Sequence, residues 1–439
     1  MCASVNAGED ALVSRSERIL QPDRSALDRF GYKLRQLRKE RGYTLARLAG
    51  MVYVSADLLQ RIEIAERRPN QKLAGQLDEA LQADGALLDR WHELSLESGA
   101  RDVTALNPDQ GRRVIEALDV VGNDHLGDVA DSLAGLIDHY ALTVCALPPA
   151  FVYDEILAVR SHASRIIERA GLVPRHTDLV VAAGWLSNLL AVAACDMGEH
   201  ATARVWCSDA EQRSQDARCP ELAAWAVLTR AMIAYYQGQP RQSVMLAAKG
   251  QEIVPIGTVI HAKLAAQEMR AAAMVGDATH MAHVRRYAAT AIAKLSPGAT
   301  AIGVFSIALG EDPPYTATSS LLCGRFREAV SATKRVIQTV YQPEARQRGE
   351  HPSGYARALL ILGLAQAGVG RLDEAVAAGD AALNASRPAW PTMVLAGKLD
   401  RVLAQDFADD RQSEAYHARY LDATRNPAGH HLQLRGPPI

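Results

Sequence analysis

Near the start of the chain the apolar positions come in short bursts at helical intervals. Phe30, Leu34 and Leu37 mark one helix face, and the run stops at Gly42, a residue suited to the left-handed turn that ends a helix. Thr44 can cap a second helix carrying Leu45, Leu48 and Ala49. Residues 52–54 lead to Ser55, another capping residue. It opens a third helix with Leu58, Leu59 and Ile62 on one side and Asp57, Gln60, Arg61 and Glu63 on the other. Pro69 introduces a fourth helix through Leu73, Leu77 and Leu81, and Leu87, Leu88 and Trp91 mark a short fifth. Ser98 to Gly111 is polar and rich in breakers, as a linker is.

Beyond the linker the helical runs lengthen, and no strand alternation persists. A glycine-centred phrase recurs as GEHATAR from Gly198, GQPRQSV from Gly238, GDATHMA from Gly276, GRFREAV from Gly324 and GRLDEAV from Gly370. The separations are 40, 38, 48 and 46 residues. Helix, glycine turn and helix repeated in this way predict an α-solenoid, each pair burying its apolar face on its neighbours. Small residues at Ala191, Ala231 and Gly363 are expected where paired helices approach most closely. Residues 112–170 read as helices broken at Pro148-Pro149 that cap or dock the array.

Composition agrees with an all-α chain of more than one domain. It has 439 residues, 48% hydrophobic and only 5% aromatic, with alanine, the best helix former, in pairs and triplets. The net charge of -2 excludes a generally basic nucleic-acid coat. Residues 28–68 differ, with ten Lys and Arg against five Asp and Glu, a balance of +5 that marks a nucleic-acid footprint. The predicted organisation is a flexible tail over 1–27, a five-helix domain over 28–95, a linker over 96–111, a helical solenoid over 112–425 and a second tail over 426–439.

The string GYTLARLAGMVYVSADLLQRIEIAERRPN, residues 42–70, resembles the repressor-type (Xre/Cro) helix-turn-helix family. Thr44, Leu48, Ala49, Val54, Ser55, Leu59, Ile62, Glu63, Arg67 and Pro69 fall on its fixed positions. The resemblance implies that the third helix lies in the major groove of double-stranded DNA. Ala56, Asp57, Gln60 and Arg61 would then face base edges, with Thr44, Ser55, Arg38, Arg67 and Arg68 near the phosphates. Arg61 suits guanine and Gln60 suits adenine. Leu45 stands where the family often has a phosphate-binding Gln, and Asp57 sets a negative charge on the reading face.

The later repeats resemble tetratricopeptide repeats, best in Tyr355 to Leu383, although they exceed the usual spacing of about 34 residues. The whole resembles bacterial transcriptional regulators in which such an array binds a peptide or small-molecule effector and makes a homodimer. The first helices of the repeats would line the concave face, which nominates Trp185, Asn188, Trp225, Thr229, Tyr235, Arg357 and Leu364 as effector contacts. The alternative is an interaction scaffold whose first domain binds DNA weakly or not at all.

No nucleophile-elbow, Walker or dinucleotide motif is present, so neither an enzyme nor a cofactor is expected. His261, His280 and His283 lack a further donor for a metal site. The cysteines form no CxxC pair and read as free thiols of a reducing compartment. The first residues lack the apolar core of a signal peptide. Leu179 to Cys195 is nearly all apolar, but at 17 residues it spans only about 25 Å against a hydrocarbon core of about 30 Å. A buried solenoid helix and a cytoplasmic protein without membrane contact are expected.

Overall fold

The computed structural model describes residues 26–94 except 66, 68, 70 and 92; 110–170 except 122–125; 176–295; 303–307 except 306; 315–343; 346; and 351–425 except 386–388. Of the expected tail over 1–27, residues 1–25 lie outside the described residues and Ala26 and Leu27 begin the first helix; the expected tail over 426–439, most of the expected linker and Arg68 also lie outside the described residues. Among the described residues every regular element is a helix. The chain forms two compact units, Met1–Glu97 and Ser98–Ile439.

In the first unit α1 (Ala26–Glu40) is followed by α2 (Leu45–Met51), α3 (Ala56–Glu63) and α4 (Gln71–Leu81), with a further helical stretch at 86–91. The caps are those the sequence predicts: Thr44 accepts from the Arg47 N–H and Ser55 from the Leu58 N–H, each at 3.1 Å. The core takes Phe30 and Leu34 from α1, Leu48 from α2, Leu59 and Ile62 from α3, Leu77 and Leu81 from α4, and Leu87, all fully buried. Each such side chain stabilises the fold by about 1.5–3 kcal/mol. The turn between α2 and α3 passes through Tyr53 at φ 57, where the Val54 N–H closes on the Ala49 carbonyl. Trp91 donates from its indole to the Pro69 carbonyl at 2.9 Å, which fastens the end of the unit onto the segment after α3.

The second unit opens with α5 (Gln110–Val121), α6 (Leu126–Thr143) and α7 (Pro149–Ala170). Antiparallel pairs follow: α8 (His176–Asp196) with α9 (His200–Ala217), α10 (Pro220–Tyr236) with α11 (Pro240–Ile253), and α12 (Val259–Val275) with α13 (Ala278–Ala293). Next come α14 (Thr316–Leu322) with α15 (Phe326–Thr339), α16 (Pro352–Gly368) with α17 (Leu372–Ala385), and α18 (Trp390–Asp406) with α19 (Arg411–Arg425). The first helices pack on one another in order, α8 on α10, α10 on α12, α12 on α14, α14 on α16 and α16 on α18. The glycines of the repeated phrase turn five of these pairs: Gly198, Gly238, Gly276, Gly324 and Gly370 have φ of 82, 72, 88, 71 and 80, a region that strains other residues. Ala191 and Ala231 are fully buried, and a Cβ on Gly363 would come within 3.0 Å of the Ala375 carbonyl.

The apolar helix α8 has the length and composition to cross a membrane, yet it is packed by α6, α7, α9 and α10, with 78% of its most apolar window buried. That is how a core helix of the array is solvated. Inside it Ser187 donates to Asp209 on α9 at 2.6 Å and accepts from buried Arg160 on α7 at 2.7 Å, while Arg160 also reaches Asp209 at 2.7 Å. Burial opposes the Asp209 charge, but the bonds from Ser187 and Arg160 outweigh it and hold the carboxyl below its ordinary range.

Candidate functional site

One side of α3 is anchored and the other is open. Leu59, Ile62 and Glu63 are buried, whereas Ser55, Ala56, Asp57, Gln60 and Arg61 are all exposed, forming a contiguous polar strip at the start of the helix. The Ser55 hydroxyl uses its oxygen for the cap, and its proton remains available to an acceptor. Thr44 is placed in the same way at the start of α2. Asp57 meets Arg61 at 3.0 Å, an exposed pair of side chains 63% and 54% accessible. Such a pair contributes about 0.3–0.5 kcal/mol, far below the worth of a good base contact, so Arg61 is not locked away. Arg67 is exposed close by. Tyr53, which the sequence reading passed over, is 91% accessible in the turn before α3, and Arg47, one of the basic residues of the footprint, is exposed and lies 4.6 Å from the Tyr43 ring. The signal for Tyr53 was an aromatic set between two capping residues.

Arg38 departs from expectation. Its Nε and Nη2 donate to the Glu63 carboxylate at 2.5 and 2.8 Å, and its Nη1 donates to the Tyr43 carbonyl at 2.9 Å. Arg35 lies 3.8 Å from the same carboxylate, and Arg41 clasps the Leu81 and Gln82 carbonyls at the end of α4. Much of the positive balance of this segment therefore serves the unit's own fold, because buried carboxylate and carbonyl groups need charged donors. Leu45 likewise packs on the core as an apolar residue.

In the array the nominated residues separate. Thr229 is buried, its hydroxyl bonded back to the Trp225 carbonyl at 3.2 Å, and Leu364 is buried in an apolar cluster, so neither offers a group to a ligand. Trp185 and Trp225 do converge, but Phe305 of the chain itself stands between them, 4.8 and 4.9 Å from their rings. Asn188 is fully buried, and neither amide atom has a partner among the described residues. Tyr235 and Arg357 lie at the inner face, and with them come residues the sequence reading missed: Asp196, Tyr236, Lys263, Arg270 and Tyr315. Arg270 is the legible one, an arginine followed directly by three alanines in α12.

Arg270 stacks against Tyr235, Tyr236 and Tyr315 with its guanidinium carbon 4.1, 5.5 and 4.0 Å from the ring centres, and it donates to Gln267. Arg357 faces Asp196 at 3.8 Å. Burial raises the Asp196 carboxyl, with Arg357 opposing, and burial raises the Tyr235 and Tyr236 hydroxyls. Burial also pushes the Cys145 thiol up to about 11, which leaves it protonated and unreactive. Next to this cluster an open groove of about 780 Å³ runs between Tyr236 and Trp390, lined by the amides of Gln237, Gln239 and Gln242 together with Arg204 and His200. Among the described residues no group of His, Cys, Asp and Glu is placed to hold a metal ion: His261 meets Tyr287, His280 meets Glu268 and His283 is exposed. The free cysteines Cys145, Cys195, Cys207, Cys219 and Cys323 are buried or half-buried.

Residues 29–91 match a family described as "Helix-turn-helix domain". No curated protein matches the chain. Among solved structures, that of Bacillus thuringiensis PlcR in complex with the peptide PapR7 and DNA is similar at 11% identity, over 60% of this chain and 94% of that one, with a TM-score of 0.27. So slight a likeness carries no inference.

Proposed function

We propose that this protein, whose residues 29–91 form a helix-turn-helix domain, is a sequence-specific DNA-binding transcriptional regulator whose α3 enters the major groove. The observation that carries the reading is the exposed strip of Ala56, Asp57, Gln60 and Arg61 on a capped helix whose opposite side is fixed in the core. A helix so held presents side-chain tips to base edges without having to reorganise. One such module buries too little surface for tight specific binding, so the working form is a homodimer reading two half-sites about 34 Å apart or a multiple of that. The array receives a peptide or small-molecule effector, which acts through its different affinity for two states of the dimer.

The test is selection from a random pool of duplexes at moderate salt, with wild type beside Arg61→Ala. Wild type is expected to recover a palindrome, and the variant to relax it at one base position per half-site, a loss of about 1–3 kcal/mol. A recovered sequence unchanged by the substitution, or none at all, overturns the reading and favours an interaction scaffold.

A further inference from the structure

Successive first helices of the array bring charged and aromatic groups to one place. Asp196 ends α8, Tyr235 and Tyr236 end α10, Arg270 lies on α12, Tyr315 precedes α14 and Arg357 lies on α16. The charges do not balance. Among the described residues Arg270 has no carboxylate partner, and Arg357 has only Asp196 at 3.8 Å, beyond hydrogen-bond distance. Arg357 makes no hydrogen bond there and keeps 29% of its side-chain surface open. Arg270 is 5% exposed; it bonds the Tyr236 and Gln267 side chains, but its buried Nε has no acceptor among the described residues. Enclosed guanidinium groups with unfilled donors are costly unless an acceptor arrives, and walls of low dielectric strengthen their field. Tyr236 joins this cluster to the groove, since it faces Arg270 and also lines the cavity below Trp390.

We propose that the inner face of the array binds a ligand through its carboxylate, held by Arg357 and Arg270, while the body of the ligand lies in the groove against Tyr236 and Trp390. This deepens the reading of the array as an effector domain and rests on it. Rings of Tyr235 and Tyr315 lie about 4 Å from the Arg270 guanidinium carbon and Gln267 takes its Nη2, so the buried Nε is the donor that a carboxylate oxygen would fill, with Arg357 supplying the second charge. The groove volume of about 780 Å³ falls in the range of about 300–1,000 Å³ usual for small-ligand sites. The amides of Gln237, Gln239 and Gln242 supply both donors and acceptors for a peptide or other amide-bearing body. The carboxylate comes either from the C-terminus of a short peptide or from a free organic acid.

The experiment measures thermal shift and calorimetric binding on the full chain with four probes: a random pentapeptide pool with free C-termini, the same pool amidated, indole-3-acetate, and inorganic phosphate. Stabilisation by the free-terminus pool and not by the amidated one identifies a peptide carboxylate, and stabilisation by indole-3-acetate alone identifies a small acid. Equal effects of the free and amidated pools, stabilisation by phosphate as strong as by the acids, or no stabilisation by any probe overturns the proposal. Arg357→Gln is expected to weaken acid binding at least tenfold. Asp196→Asn, which removes the competing carboxylate, is expected to tighten it several-fold, so the proposal remains testable if the first variant does not fold. DNA selection is run on the same preparations. Loss of DNA binding with acid binding intact sinks the regulatory reading alone, and the reverse result sinks this site alone.

Discussion

Lys263 carries its ammonium to the inner face of the array, 4.9 Å from the Trp225 ring and 2.5 Å from the Val304 carbonyl, with no carboxylate beside it among the described residues. Burial lowers it to about 8. Below pH 8 the folded and unfolded chains both hold the proton, and the folded one bears the cost of desolvating it. Between there and the unfolded value of about 10.4 only the unfolded chain stays protonated, so stability rises with pH across that window. Lys263→Met is expected to raise the melting temperature most near neutral pH, with an advantage that shrinks through pH 8 to 10. A difference that stays constant across that range would contradict this account. The sequence shows a lysine in a helix with no near acid, but not its enclosure, because that depends on Trp225 and on the segment near Phe305.

Between elements, α1 and α3 meet more closely than side-chain periodicity suggests. A Cβ on Gly31 would lie 2.8 Å from the Ile62 carbonyl oxygen and 2.9 Å from that of Glu63, so the two backbones nearly touch there. Gly31→Ala is therefore expected to push α1 from α3 and cost about 1–3 kcal/mol in denaturant titration of the N-terminal unit. Gly50, where a Cβ meets nothing within 4 Å, is the control that is expected to tolerate Ala. The same junction holds the Glu63 carboxylate, 3% exposed, between Arg35 and Arg38. Glu63→Ala removes the buried carboxylate that faces those guanidinium groups and is expected to cost about 3–5 kcal/mol, read from the same titration. The sequence set Glu63 on the open side of the third helix and Arg38 near the phosphates, and the structure pairs them in the interior instead. Their partnership spans 25 positions and has no local signature.

Across the second unit the array returns on itself, for α18 reaches back to α8. Trp390, at the start of α18, meets His200 and Tyr236 edge to face, with ring centres 4.7 and 5.7 Å apart. It also sits so close to Gly198 that a Cβ there would meet its ring at 2.6 Å. In an open solenoid the end pairs unfold on their own, since each pair contacts only its neighbours. Here the first and last pairs share a seam. Trp390→Ala is expected to speed amide hydrogen exchange in α8 as well as in α18, whereas faster exchange confined to α18 and α19 would mean that the seam contributes no stability.

The sequence by itself determined the helices, the caps at Thr44 and Ser55, the turn between α2 and α3, and the glycine turns of the repeats. All of these arise from contacts a few residues apart, where periodicity and backbone preference decide the outcome. It also placed Asp57, Gln60 and Arg61 on the open side of α3, but set Glu63 beside them, which the structure buries. Only the tertiary structure decided that Arg38 belongs to Glu63, that Phe305 stands between Trp185 and Trp225, and that Asp196, Arg270 and Arg357 gather with three tyrosines at one inner face. Those pairings join distant parts of the chain. Their partners are chosen by how helices stack, and the charge of a residue says nothing of which helix will stand opposite it.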